Sequence, residues 1–325
     1  MSTAGAIGLF LGSFAVSVAS SVVLARQLDR IGVRLGMTEA LVGIVTAIGA
    51  DAPEISSAIA AVARGHEDTG VGVVLGSNIF NLAALLGLSA VIAGRVPIHR
   101  HGLVLNGGVA VAVAAVGSAL VLDWIGAVGA LLVVLAIFLP YLVLSAVRPR
   151  RFARFPALRQ ALAEEQEDAD RAERVRPATA LDALGVVPSL TAVVLGSVGM
   201  VAAAQTLGGR WGVSDLVIGT LVLAALTGIP NVIAAIRLAL HGRGAAVVSE
   251  SLNSNNANVA VGLCVPALIL GIGDSSGLEQ LGGWWMLAMT AVVVVALGTR
   301  SRLTRAEGYA IIALYVAYAV LIATL

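Results

Sequence analysis

Residues 49–54 read GADAPE and residues 76–81 read GSNIFN, and both stretches lie inside apolar segments long enough to cross a membrane. Carboxylates and amides are costly in hydrocarbon unless they face a cavity, a pathway or a bound partner. A helix-breaking proline, Pro53, stands between the two carboxylates of the first stretch. This combination predicts polar chemistry at the centre of a membrane protein.

A related pair of stretches occurs in the second half of the chain, where residues 226–231 read LTGIPN and residues 253–258 read NSNNAN. Pro53 and Pro230 are 177 residues apart, and so are the serines and the last asparagines of the two motifs. Two copies of a polar motif within apolar segments, each beside a proline, predict an ion site that is shared by two repeats.

The composition is that of a membrane protein. Of the 325 residues 58% are hydrophobic and 12% are charged, whereas about 25% charged residues is usual in soluble domains. A single cysteine, Cys264, excludes an internal disulfide and a site built from several thiolates. The net charge of +1 gives no reason to expect nucleic acid as a partner. Motifs typical of enzymes are absent from the sequence, so we expect neither catalysis nor a resident cofactor.

The hydropathy pattern predicts an all-α polytopic membrane protein with ten transmembrane helices. The first segment is long enough to span and is expected to be retained, not cleaved as a signal peptide. A charged linker at 148–180, expected to be cytoplasmic and either helical or disordered, separates a first repeat at 1–147 from a second at 181–325. The predicted spans are 4–25, 38–63, 70–93, 102–121, 124–147, 181–205, 214–240, 245–271, 283–299 and 308–324.

The arginines predict the orientation. With both termini outside the cytoplasm, 17 arginines fall in inner loops and only Arg64 and Arg210 in outer ones, which is a strong positive-inside bias. Five spans per half is an odd number, so the second half begins from the opposite side of the membrane. The two five-helix repeats are therefore predicted to be inverted, in a multi-pass protein of the inner (plasma) membrane.

The first repeat supplies two acids. Asp51 and Glu54 are three residues apart on one predicted helix and therefore share a face. Two ionised carboxylates about 6 Å apart repel by roughly 3 kcal/mol at an effective dielectric near 20, so a site without metal is expected to hold at least one proton. Pro53 and Pro230 are expected to kink their helices and free carbonyl oxygens. The alternative is a pair of protonated acids bonded to neighbouring backbone beside simple packing kinks.

Neutral oxygens complete the predicted cation site, because hard cations such as Ca²⁺ and Na⁺ take oxygen ligands. The alternative role for such residues is hydrogen bonding between helices, which we favour for Asn253, Asn255 and Asn256. Glu250 lies one turn before Ser254 and is predicted either to be a ligand in a vestibule or to reach water. The predicted metal ligands are Asp51, Glu54, Ser77, Asn81, Thr227, Asn231, Ser254 and Asn258.

The motif at Pro53-Glu54 followed by residues 76–81 resembles the cation/Ca²⁺ exchanger superfamily, and specifically prokaryotic sodium/calcium exchangers. The resemblance covers nearly the whole chain. It implies that the second, third, seventh and eighth helices enclose the ions, and that exchange proceeds by alternating access. It also implies an ion-ligating role for five of the residues named above: Glu54, Ser77, Asn81, Thr227 and Ser254.

The second repeat departs from the family pattern. Asn231 stands where a second glutamate is expected, and Asn258 where an aspartate is common, whereas Asp51 is an additional acid in the first repeat. The site should therefore keep about two carboxylates, both from one repeat. The leading prediction is Na⁺/Ca²⁺ antiport in a lipid bilayer. A cation/H⁺ antiporter (Ca²⁺/H⁺ or Na⁺/H⁺), coupling to K⁺, and a non-transporting degenerate homologue stay open as alternatives.

Overall fold

The computed structural model describes residues 1–35, 37, 45, 47–146, 155–160, 162–163 and 178–325. In this part the chain is almost entirely helical. Two short strands, β1 (Arg95–Pro97) and β2 (Arg302–Thr304), pair antiparallel. The helices are α1 (Thr3–Arg34), α2 (Ala52–Ala63), α3 (Glu67–Ala93), α4 (Arg100–Val121), α5 (Ala127–Ala146), α6 (Ala180–Trp211), α7 (Asp215–Thr227), α8 (Ile229–Leu240), α9 (residues 244–269), α10 (Gly277–Arg300) and α11 (Arg305–Thr324).

The helices confirm a multi-pass membrane protein. In the described part of the chain, seven helices are long and apolar enough to cross a membrane, namely α1, α3, α4, α5, α6, α10 and α11, and the bent pair α7–α8 meets the same criteria when it is taken as one span. The predicted span 245–271 corresponds to α9. Of the predicted span 38–63, α2 is the later part, while residues 38–44 and 46 lie outside the described residues. The count of ten spans stays a prediction.

Most of the predicted linker also lies outside the described residues, which include only 155–160, 162–163 and 178–180 of the stretch 148–180. Its predicted state, helical or disordered, therefore stays a prediction. The helix that follows it begins in a defined way. Thr179 caps α6 by accepting a hydrogen bond from the Asp182 backbone, and the Asp182 carboxylate accepts one from the Thr179 backbone.

The prolines begin new helices, so the prediction of kinks within continuous helices is corrected. Residues 47–50 are helical, the chain bends at Asp51, and α2 starts at the next residue. In the second half, α7 and α8 are separated by Gly228 and bent by 46°. Pro53 and Pro230 both stand in the first turn of the new helix. A first-turn N–H has no partner within its helix, so proline loses no hydrogen bond there.

Both long motif-bearing helices change their winding at the end of the motif. In α3 residues Leu82–Leu88 are π-helical, and in α9 residues Asn258–Cys264 are π-helical. A third such segment, Ile218–Leu223, lies in α7. The wider turn rotates the side chains that follow it relative to those before it, and π-helical turns are frequent at functional sites. The polar motifs thus end where the helices change geometry.

The buried centre of the molecule is formed around α3. In the apolar 18-residue segment of α3, 89% of the residues are buried. In the equivalent segment of α1, which lies at the periphery, 17% are buried. Close contact between α3 and α7 depends on glycine. Gly72 and Gly76 of α3 face the backbone of α7, and Gly219 of α7 faces the backbone of α3 at Thr69. Small residues allow helix backbones to approach in this way in membrane proteins.

The peripheral helices α1 and α6 lie along each other and contact the centre. The Ser17 and Ser197 hydroxyls are 3.1 Å apart across this pair. Ser197 also donates to the Pro53 carbonyl oxygen at 3.3 Å, which connects α6 to the start of α2. Near one end of the pair, Arg30 and Asp182 form an ion pair at 2.7 Å. The first turn of α2 is therefore held by α6 as well.

We expect Gly219→Ala to lower the stability of the fold, because the added methyl group would meet the Thr69 carbonyl oxygen and lie 2.9 Å from the Val73 nitrogen. Overpacking of this kind typically costs about 1–3 kcal/mol. The matched control is Gly108→Ala in α4, where the methyl group meets no described atom within 4 Å and alanine should be neutral or stabilise by up to about 1 kcal/mol. Thermal denaturation in detergent measures both. Equal melting temperatures for the two variants would contradict the close approach.

Candidate ion-binding site

The predicted ligands come from five helices and from the break before α2. Asp51 is at the first break and Glu54 is in the first turn of α2, while Asn231 is in the first turn of α8. Ser77 and Asn81 belong to α3, Thr227 ends α7, and Ser254 and Asn258 belong to α9. All eight are buried, with no residue more than 3% exposed.

Asn78 and Asn255 form a reciprocal link between the two halves of the site. The Asn78 side chain donates to the Asn255 carbonyl oxygen at 3.3 Å, and the Asn255 side chain donates to the Asn78 carbonyl oxygen at 3.0 Å. The two residues are 177 positions apart, so each half contributes the same residue to a reciprocal pair. The predicted role of Asn255 in hydrogen bonding between helices is confirmed.

The next asparagine of each motif extends this arrangement. Asn81 donates to the Asn255 side-chain oxygen at 3.1 Å, and Asn258 donates to the Asn78 side-chain oxygen at 3.3 Å. Asn81 donates further to Ser254 at 3.0 Å. The four amides therefore form a network in which each amide–amide bond has a counterpart in the other half, whereas the remaining bond of Asn258 goes to Glu54 and not to a serine. Their nitrogens point into this network, which fixes how the side chains are oriented.

The two carboxylates are held by amides of the second half of the chain. Asn258 donates to Glu54 Oε2 at 2.9 Å, and Asn231 donates to Asp51 Oδ1 at 2.7 Å. Ser77 lies beside Glu54, and Ser254 lies beside Asp51. Both acids belong to the first half, as predicted. However, Asp51 contacts the residue that stands 177 positions after Glu54, where the sequence lacks an acid.

Several oxygens of this cluster have no hydrogen-bond partner among the described residues. An unpaired buried acceptor costs about 1–3 kcal/mol, and more when it is charged. A positively charged or hydrogen-bearing species would stabilise such a concentration of unpaired oxygens within one buried cluster. The oxygens are Asp51 Oδ2, Glu54 Oε1, Ser77 Oγ, Asn81 Oδ1 and Asn258 Oδ1.

Among the residues that the structure describes, no base forms an ion pair with either acid. The ion pairs in the described part of the chain, Arg30–Asp182 and His66–Asp215, both lie elsewhere. No group of three or more histidine, cysteine, aspartate or glutamate side chains suited to a metal occurs within the described ranges. The donors available to a cation at this site are therefore two carboxylates and several neutral oxygens, a set that suits Na⁺ or Ca²⁺ better than a transition metal.

Thr227 differs from the other predicted ligands. Its hydroxyl donates to the Leu223 carbonyl oxygen at 2.8 Å and to the Ala224 carbonyl oxygen at 3.3 Å, both in its own helix. The hydroxyl is thus engaged at the end of α7 and offers only its lone pairs to a ligand. Asn253 also lies outside the network, since its amide donates to the Tyr141 and Ser249 hydroxyls, each at 3.1 Å.

Sequence reasoning missed the role of Asn78, which anchors the network without being a predicted ligand. The signal that identifies it is its repetition as Asn255 at the same spacing as the two prolines. Sequence reasoning also left Glu250 undecided. One oxygen of that side chain, Oε2, is buried without a hydrogen-bond partner among the described residues.

Comparison with known proteins yields a family match over most of the chain. The family model described as sodium/calcium exchanger protein matches residues 5–158 and 181–324. A putative antiporter, CaxA of Alkalimonas amylolytica, is 27% identical over 304 residues, which are 91% of this chain and 89% of CaxA. The inner membrane protein YrbG of Escherichia coli (strain K12) is 28% identical over 275 residues, 81% of this chain and 78% of YrbG.

The fold also matches a solved structure. The sodium-calcium exchanger NCX_Mj superposes with a TM-score of 0.66 and 21% sequence identity, covering 100% of this chain and 99% of that protein. At this level of identity the match concerns the fold alone. It agrees with the mostly helical membrane architecture described above.

We expect Asn78→Leu and Asn255→Leu each to destabilise the protein by about 1–3 kcal/mol, because each removes a buried hydrogen bond to the other half and the side-chain oxygen that accepts from Asn258 or Asn81. The cost of the double variant should differ from the sum of the two singles, since both side chains belong to one hydrogen-bond network. Unfolding free energies in detergent complete the cycle. Thr191→Ala is the control, since this exposed hydroxyl bonds only within its own helix. Strict additivity would contradict the coupling of the two halves.

Proposed function

The chain belongs to the sodium/calcium exchanger protein family, and we propose that it is a secondary antiporter that exchanges Ca²⁺ for Na⁺ by alternating access. The observation that carries this proposal is the cluster of buried, unpaired oxygens around Asp51 and Glu54. A cation supplies the missing partner for several of these oxygens at once, which one proton cannot do. The cation is the transported substrate in this proposal. Antiport results when one cation replaces another at the same oxygens and the two are carried across the membrane in opposite directions.

The proposed architecture is ten spans in two inverted repeats of five, 1–147 and 181–325, joined by the cytoplasmic linker 148–180. The family match on both sides of the linker and the reciprocal bonds between Asn78 and Asn255 support two related halves. The arginine distribution supports termini outside the cytoplasm. Similarity to YrbG, an inner membrane protein, supports the same location for this chain.

Glu54 and Asp51 are the proposed anionic ligands. Glu54 keeps one oxygen in a bond from Asn258 and has the other available to the cation. Asp51 does the same with its bond from Asn231. The neutral oxygens are those of Ser77, Asn81, Thr227, Asn231, Ser254 and Asn258. Ca²⁺ takes six to eight oxygen ligands, a number that this set can supply.

Charge balance couples the two fluxes. Two ionised carboxylates are neutralised by one Ca²⁺ or by two Na⁺, so either load gives a site without net charge. A charged site without a cation is costly to enclose in a low-dielectric interior. The loaded forms therefore cross between the two access states more readily than the unloaded form. Competition of the two cations for the same oxygens then makes the entry of one depend on the release of the other.

We expect the purified protein in proteoliposomes to take up Ca²⁺ when a Na⁺ gradient is applied, and Glu54→Gln to abolish that uptake because one of two neutralising charges is lost. Isotope flux measures both. The matched control is Glu279→Gln, a buried acid in the first turn of α10, where glutamine can still cap the helix and uptake should be retained.

A fully active Glu54→Gln variant would contradict the site, and a folded protein without Na⁺-driven Ca²⁺ flux would contradict Na⁺/Ca²⁺ exchange. Uptake that follows a pH gradient in Na⁺-free buffer would indicate H⁺ as the coupling ion instead. Absence of any cation binding in calorimetric titration would indicate a non-transporting homologue.

A second prediction concerns the position of the acids. We expect Asp51→Asn to weaken Ca²⁺ binding by at least about tenfold, equivalent to 1.4 kcal/mol. Only the Glu54 carboxylate would then remain to neutralise the two charges of the ion. Adding Asn231→Asp should recover much of this loss, since Asn231 lies 2.7 Å from the lost carboxylate. Calorimetric titration with CaCl₂ gives the affinities.

The control for this rescue is Asn256→Asp in the Asp51→Asn background, which restores a buried acid two residues from Ser254 and therefore on another face of α9. It should not recover binding. Equal recovery by both second-site changes, or recovery by neither, would sink the idea that the acid acts at this place in the site.

A further inference from the structure

We propose that Glu250 is a third acidic cation ligand, which binds Ca²⁺ or Na⁺ on the path between the central site and the end of α9 that begins beside β1. This inference rests on the proposed function and adds an access position to it. The central site uses two acids from one segment of the first half. Glu250 comes from the second half and has not been counted among the ligands of that site.

Glu250 lies on the same face of α9 as two residues of the central site. Glu250, Ser254 and Asn258 are spaced by four residues and therefore lie along one face of the helix. At the beginning of α9, Gly244 packs directly against Pro97 of β1. The stripe of oxygen-bearing side chains thus runs from the end of the bundle that carries the β strands to the acids at the centre.

Glu250 lies between the buried interior and the exposed surface of the protein. The residue as a whole is partly exposed, while its Oε2 atom is buried and has no hydrogen-bond partner among the described residues. A carboxylate whose only role is to reach water would turn both oxygens outward, as snorkelling side chains do. Glu250 instead keeps one oxygen toward the interior, where an acceptor without a donor is costly.

Glu250 lies close enough to interact with charges on both sides. It experiences repulsion from Asp51 and attraction from Arg243, the residue that precedes α9. A cation held between Glu250 and Asp51 converts the repulsion of the two acids into two attractions. Arg243 lowers the cost of the acid while no cation is near. This arrangement draws a cation into the stripe without trapping it there.

The other half of the chain has no equivalent acid. The position 177 residues before Glu250 is Val73, which is apolar and fully buried in α3. The corresponding position in the other half is therefore packed with valine, whereas an acid within a membrane-spanning helix is costly and marks a functional position. Because only one half carries it, the acid serves one access direction and leaves the other unchanged.

The test compares Glu250→Gln with the wild type in proteoliposomes of known orientation. The Ca²⁺ concentration for half-maximal uptake is measured with Ca²⁺ added from either face. We expect the half-maximal Ca²⁺ concentration to rise several-fold when Ca²⁺ is added from the face that carries β1 and β2, and to stay the same from the other face. The maximal rate should be unchanged. Glu279→Gln is the control for removal of a buried acid and should alter neither face. Glu250→Asp keeps the charge and should lie between the wild type and Glu250→Gln.

Three results would overturn the inference while leaving Na⁺/Ca²⁺ exchange in place: no change in Glu250→Gln, an equal change from both faces, or a loss of maximal rate alone. If the wild type shows no flux, the proposed function fails, and calorimetric titration with CaCl₂ decides the inference separately. Weaker Ca²⁺ binding in Glu250→Gln than in Glu279→Gln then supports a cation ligand, and equal binding refutes it. Should Glu250→Gln fail to fold, the same comparisons are made with Glu250→Asp.

Discussion

The constraint on which this structure depends is that polar atoms inside a membrane protein need a partner. The asparagine amides provide hydrogen-bond partners for one another. Asn78 and Asn255 each donate to the other's backbone carbonyl oxygen, and Asn81 and Asn258 donate to the side-chain oxygens of Asn255 and Asn78. This network uses the amide nitrogens and leaves carboxylate and amide oxygens unpaired beside it. The same bonds that join the two halves therefore create a demand for a cation, so that fold and proposed transport arise from one set of contacts.

The two halves share the amide network but differ in their acids. Asn231 stands opposite Asp51 where a symmetric site would have a second glutamate, and it donates to the acid that the first half supplies. A cation responds to the number of charges and to the positions of oxygens, not to which half of the chain provides them. In the proposed function an acid can therefore change helix without changing the charge of the site, provided that its oxygen reaches the same cluster.

Much of the fold and part of the site could be predicted from the sequence. The spacing of 177 residues identified Ser77, Ser254, Asn81 and Asn258 as parts of one buried cluster, and hydropathy located the long helices, because both signals are local and periodic. The helix breaks before Pro53 and Pro230 were predicted as kinks, because sequence does not distinguish proline within a helix from proline in a first turn. The π-helical segments after Asn81 and at Asn258 have no periodic signal, and the anchoring role of Asn78 requires knowledge of which backbone it faces.

The one-sided acid at Glu250 extends the same reasoning to the path of the ion. In the proposed architecture, two identical inverted halves would give equivalent routes to the centre from the two faces, and an ion would meet equal affinities on entering from either one. A charge added to α9 but not to α3 breaks this equivalence without altering the central oxygens, since Val73 occupies the corresponding place. An exchanger that works between compartments of different cation content benefits from unequal affinities at its two openings, and a single residue outside the shared site is sufficient to provide them.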